Sequence, residues 1–176
     1  MTYSEMQFIK AEAALRMDNR ALALEAYRNG ISAHFDFINR TSYPRGNNTI
    51  FNGAPIPANQ KTGYMNNTAL VKNDPAELTM TDIMLQKYIA LWGWGFVETW
   101  TDMRKFHYTD LDDQTGEQVY KGLVLPTFDA GNLSKPAYRV RPRYNSEYVW
   151  NRPEIERIGG MNGDYHTYEL WYSKPN

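Results

Sequence analysis

Hydrophobic and polar positions follow a helical period in two windows of the chain, and no period holds elsewhere. Across residues 3–17, Met6, Ile9, Ala13 and Met17 recur at three- and four-residue spacing, which places them on one face of a helix. Ser4 is the candidate N-cap. Asp18 and Asn19 break this helix and cap a second one over about 20–36. The second helix carries Ala23, Tyr27 and Gly30. Small residues flanking a bulky one let a neighbouring helix come close, as in tetratricopeptide-type hairpins, although an ordinary antiparallel pair fits the same pattern. The other helical window spans 79–106. Thr79 and Asp82 supply a capping box there, with Asp in place of the usual Glu or Gln. Within it, residues 86–104 read as two amphipathic helices joined at Gly93-Trp94-Gly95, where glycine permits a sharp turn and close backbone approach.

The remaining segments are dense in turn residues. In 39–78, Asn, Gly, Pro and Thr dominate, and isolated aromatics (Tyr43, Phe51, Tyr64) interrupt them. A long aperiodic stretch inside a compact domain is commonly functional. Ligand contacts concentrate on loops held by rigid elements. Tyr43, Phe51, Tyr64 and Asn66, aromatics and an amide of this loop, are therefore the candidate ligand-binding residues. Residues 107–176 are again irregular, with prolines at 126, 136, 142 and 153 in the first part, 107–153, and the alternation over 168–172 suggests a short extended segment. No domain boundary and no second copy of the first helix pair is visible. The expectation is an all-α fold with helix pairs near 3–36 and 79–106 and irregular loops over 39–78 and 107–176.

Composition narrows the function classes. The 176 residues are enough for one sizeable core. A net charge of −1 lacks the basic stripe of a nucleic-acid binder. The absence of cysteine excludes disulfides and cysteine-based zinc sites. No apolar run approaches the ~20 residues of a membrane span, and Met1-Thr2-Tyr3-Ser4-Glu5 does not begin a signal peptide. Aromatics make up 14% of the chain, enough for a heavily packed core or for surfaces that stack on sugars.

Candidate chemistry is sparse. His34, His107 and His166 lack the spacing of a metal motif, so no metal or cofactor is expected. Asp110, Asp112, Asp113 and Glu117 suggest a calcium loop, but Gly116 falls one place late and the twelfth position is Lys121, so a polar surface turn is expected. Glu98 and Asp102, four residues apart, have the spacing of an acid–base pair. Arg104 and Lys105 follow closely and favour structural ion pairing instead. Glu98, Trp100, Asp102 and Arg104 are accordingly assigned to structure, with Trp100 buried. There is no Gly-x-Ser-x-Gly, no cysteine nucleophile and no phosphate-cradling loop.

Three separated segments, in order, resemble the SusD/RagB-like outer-membrane nutrient-binding lipoproteins. Residues 2–14 with 26–31 form the first. Residues 86–104 are similar to the family's Q-K-W-I-A-L…E-A-W…R pattern. Arg141-Pro142-Arg143-Tyr144, with Glu147 and Asn151, is similar to P-x-R-x-x-Y-P-x-x-E…N. Leu170-Trp171-Tyr172 looks like the aromatic family end. Arg104-Lys105 departs from the usual double arginine, and Asn145 stands where proline is common. The resemblance implies a SusD-like fold of tetratricopeptide-like helix pairs and a non-catalytic protein on the cell-surface side of the outer membrane in Bacteroidetes-type bacteria. It implies an oligosaccharide or peptide ligand and a SusC-like TonB-dependent transporter as partner. Family members are longer, so the chain is expected to be a C-terminal portion, with the lipid anchor in the missing N-terminal portion and an exposed apolar patch on the first helix pair. The alternatives are a tetratricopeptide-type protein–protein adaptor and a glycan-active enzyme using Glu98 and Asp102.

Overall fold

The computed structural model describes residues 1–40, 55–128 and 130–174. The helices are α1 (Tyr3–Arg16), α2 (Arg20–Asn39), α3 (Ala58–Asn66), α4 (Met80–Leu91), α5 (Phe96–Lys105), α6 (Glu147–Trp150) and α7 (Arg152–Arg157), with 3-10 turns at Ala130–Asn132 and Tyr165–Thr167. Among the described residues the only β pairing is an isolated antiparallel bridge between Leu111 and Gln118. The fold is all-α, as expected. The chain divides into two compact units, one of Met1–Trp100 with Thr109–Gly122, the other of Thr101–Tyr108 with Leu123–Asn176.

The first unit is built on the α1–α2 hairpin. Thr2, not Ser4, caps α1: its hydroxyl accepts the Glu5 N–H while the Glu5 carboxylate accepts the Thr2 N–H. Ser4 lies inside the helix, buried, and its hydroxyl donates to the Gly30 carbonyl of α2 at 2.7 Å. Asn19 caps α2 through the Leu22 N–H, as the sequence indicates. The packed face of α1 is also not the one the spacing suggests. Ser4, Glu5, Phe8, Ala11 and Glu12 are buried, whereas Met6 (51% exposed), Ile9 (40%) and Met17 (80%) face outward with Ala13. Ser4, Phe8 and Ala11 share helical spacing too, and packing selects them because α2 offers a small-residue recess. Ala23, Tyr27 and Gly30 are all buried there, and the rings of Phe8 and Tyr27 meet edge-on at 6.4 Å.

α4 takes its packing partners from α1 and α2. Thr79 and Asp82 form the expected capping box. Arg20 reaches the carbonyls of Pro75 and Leu78 (3.1 and 3.3 Å), and Arg28 reaches that of Lys72 (2.9 Å), pinning the approach to α4 onto α2. At the α4–α5 joint, Gly93 has φ +90°, and a Cβ at Gly95 would lie 2.6 Å from Leu91 Cδ2, so both glycines are required by geometry. The 39–78 window is not wholly irregular: Ala58–Asn66 forms α3, which packs on α2. None of its residues is buried, so no apolar period marks it in the sequence.

The second unit is short in helix and rich in guanidinium–carbonyl bonds. Arg104 donates to the Tyr138 carbonyl (2.7 Å) and the Thr101 hydroxyl (2.9 Å). Arg139 donates to the carbonyl oxygens of Tyr168 and Glu169 and lies over the Tyr165 ring at 4.9 Å. Arg141 holds the carbonyls of Asn162 and Gly163 (2.7 and 2.8 Å). These fan-shaped donors bond backbone oxygens outside regular helices and sheets. Residues 107–176 therefore contain α6, α7 and two 3-10 turns rather than loop alone. Residues 168–172 form no strand: Tyr168 closes a 3-10 turn, and Ser173 N–H returns to the Leu170 carbonyl in a further turn.

Candidate functional site

The sequence-derived candidates fall in different places. Tyr43 and Phe51 lie outside the described residues. Tyr64 and Asn66 belong to α3. The Tyr64 hydroxyl accepts from Gln86 Nε2 at 2.9 Å, and its ring meets Phe35 edge-on at 5.4 Å. Both ends of Tyr64 are thus engaged within the protein, tying α3 to α2 and α4. Asn66 is exposed at the end of α3.

On α5, Glu98 is exposed, while Asp102 and Arg104 are buried. The two acids therefore sit in different surroundings, and Asp102 is engaged by a partner. Trp100 is half-buried rather than buried, because the inward face of this helix is formed by Asp102 and Arg104. The histidines do not converge. His34 is half-buried with its Nδ1 unpartnered among the described residues, and burial lowers its pKa. His107 lies 3.4 Å from the Glu169 carboxylate, and His166 bonds Asn132 Oδ1 at 2.8 Å. No group of ligands that could hold a metal occurs among the described residues.

The acidic turn is more than a surface feature. Asp112 is buried, and its carboxylate accepts the Thr81 N–H (2.8 Å) and hydroxyl (3.0 Å) in the first turn of α4 and the Gln114 N–H of its own turn (3.0 Å). It is a structural anchor that satisfies an orphan amide of a helix start.

A pocket of about 260 Å³ opens between the start of α1 and the C-terminal half of α2. Asn29, Ser32 and Asp36 line it from one face of α2, at helical spacing, and Arg40 adds to them from the C-cap position. Tyr3, 66% exposed, and Phe37 supply aromatic walls. The Phe37 ring is braced edge-on by the Trp94 indole at 5.0 Å, and Trp94 Nε1 donates to the Ala90 carbonyl at 3.1 Å. Asp36 accepts from Lys61 Nζ of α3 at 2.6 Å. Sequence reasoning missed this pocket because polar residues at helical spacing look like an ordinary solvated face. Only the fixed position of α1 turns that face into a recess.

No curated protein and no solved structure matches the chain. The SusD-like model described as starch-binding and associating with the outer membrane matches residues 1–127, a span that includes α1 through α5 and two of the three segments that carry the sequence resemblance. The chain therefore belongs to the SusD-like family of starch-binding proteins associated with the outer membrane.

Proposed function

We propose that the chain is part of a cell-surface nutrient receptor that holds an oligosaccharide, leaves its bonds intact, and delivers it to a SusC-like TonB-dependent transporter. The observation that carries this reading is the family match over 1–127. A lipid anchor in a preceding portion would hold the receptor on the outer face of the outer membrane. Tyr43, Phe51 and Asn66 are proposed to contribute ligand contacts from the 39–78 segment. Tyr64, bonded to Gln86, would act by positioning α3. The exposed Glu98 and the buried, partnered Asp102 favour binding over glycoside hydrolysis, because acid–base catalysis needs both carboxylates facing one substrate.

Affinity electrophoresis through gels containing soluble starch, xylan, mannan or inulin tests the reading. Retardation in at least one gel is expected, and migration unchanged in all of them would overturn it. Co-purification of a TonB-dependent transporter with the receptor from detergent-solubilised outer membranes tests the partnership. Its absence from those eluates would overturn that part.

A further inference from the structure

We propose that the α1–α2 pocket is a subsite for one ring of a neutral saccharide; the assignment rests on the glycan-binding reading above. The cavity of about 260 Å³ lies just below the roughly 300–1,000 Å³ of ordinary small-molecule pockets. That is the scale of a single sugar ring rather than of a peptide or a longer chain. Its walls divide in the way a pyranose divides. Tyr3 and Phe37 offer apolar ring surface to the C–H faces, and the polar stripe of α2 meets the hydroxyl edge.

The hydrogen-bonding capacity is open. Asn29, Ser32 and Arg40 spend no side-chain hydrogen bond among the described residues. Asn29 supplies an amide donor and acceptor, Ser32 a hydroxyl, Asp36 a carboxylate acceptor and Arg40 a forked donor. Asp36 in the last turn of α2 and Arg40 at its C-cap offer an acceptor and a donor to hydroxyls of one ring. Asp36 keeps one carboxylate oxygen beyond its bond to Lys61. Asp36 and Arg40 give the lining one acid and one base, so its charges balance and it suits an uncharged ring.

The site is also held in shape before any ligand arrives. Asn29, Ser32 and Asp36 sit on one continuous helix with Arg40 at its C-cap, the Ser4–Gly30 bond ties the start of α1 to α2, and Trp94 braces the Phe37 wall. Pre-formed walls reduce the ordering cost of binding.

The test is calorimetric titration of the chain with neutral hexa- and heptasaccharides (malto-, cello-, xylo- and manno-) and with oligogalacturonate. Tyr3→Ala, Asn29→Ala and Arg40→Ala alter exposed side chains, and melting curves confirm that each variant folds. Each should weaken the best neutral ligand by roughly tenfold, the equivalent of one lost contact. Trp150→Ala, on α6, should leave the affinity unchanged. In parallel, the Asn29 side-chain amide should shift in nitrogen–proton NMR spectra on ligand addition. If the chain binds a neutral oligosaccharide and all three pocket variants bind it equally well, the subsite assignment fails while the receptor reading stands. If only oligogalacturonate binds, the neutral-ring assignment fails. If nothing in the panel binds, both readings fail together.

Discussion

The ring of Phe8 on α1 occupies the space that a side chain would need at Gly30 on α2: a Cβ at Gly30 would lie 3.0 Å from Phe8 Cζ. Phe8 is fully buried, so its ring has no open side to move toward. Gly30→Ala should therefore lose about 1–3 kcal/mol to overpacking, offset in part by the roughly 1 kcal/mol that alanine gains over glycine in a helix. Combining it with Phe8→Leu should give a loss smaller than the sum of the two single changes, since the shortened side chain vacates the clashing volume. Urea unfolding of the four proteins measures the coupling. Strict additivity would show that the two residues do not share this space.

Asp112 should carry stability out of proportion to its place in a polar turn. Asp112→Ala leaves the Thr81 N–H without its acceptor and the Thr81 hydroxyl with only the Gln118 carbonyl at 3.5 Å, and should cost about 2–3 kcal/mol. Asp113 is the matched control: it is exposed, and Asp113→Ala should stay within about 0.5 kcal/mol of the parent. Equal effects at the two positions in thermal melts would contradict the anchoring role.

In the second unit, Arg104 joins two partners that only a forked donor reaches together. Lysine keeps the charge but lacks the planar fork. Arg104→Lys should cost about 1.5–3 kcal/mol and raise amide hydrogen exchange around Tyr138, whose carbonyl receives the 2.7 Å bond. Unchanged protection there would refute the assignment.

His34 predicts a pH dependence. Burial lowers its pKa below the ordinary value of 6.5, so the unfolded chain binds its proton more readily than the folded one. The corresponding stability is fully present above about 6.5. It is lost as pH falls from there through the lower folded-state pKa. His34→Gln should flatten the decline in melting temperature between pH 7 and pH 5, measured against the parent in the same buffers. A parallel decline in both proteins would contradict it.

Legibility in the sequence followed the reach of the interactions. Caps and joints depend on neighbours a few residues away, so Asn19, the Thr79–Asp82 box and the Gly93–Gly95 joint are readable directly. The recess formed by Ala23, Tyr27 and Gly30 is readable as a residue pattern. Which face of α1 fills it is not, because Met6–Ile9–Met17 and Ser4–Phe8–Ala11 are equally periodic and only contact with Gly30 decides between them. Ser4 reads as a cap for the same reason: a hydroxyl near a helix start suits either an end amide or a distant carbonyl. α3 buries no residue, and the second unit is held by arginines reaching carbonyls some 20–35 positions away, such as Arg141 to Asn162 and Arg104 to Tyr138. Neither leaves a period to find. The pocket required α1 and α2 to be placed before Asn29 and Arg40 became anything other than surface.

The central claim is that the chain binds an oligosaccharide and does not cut it. Equilibrium dialysis against fluorescently labelled neutral oligosaccharides, followed by mass spectrometry of the recovered ligand after a day with the protein, measures both halves together. The expected result is saturable retention of at least one oligosaccharide, recovered at its starting length. No retention of any oligosaccharide, or recovery of shortened products, would contradict it.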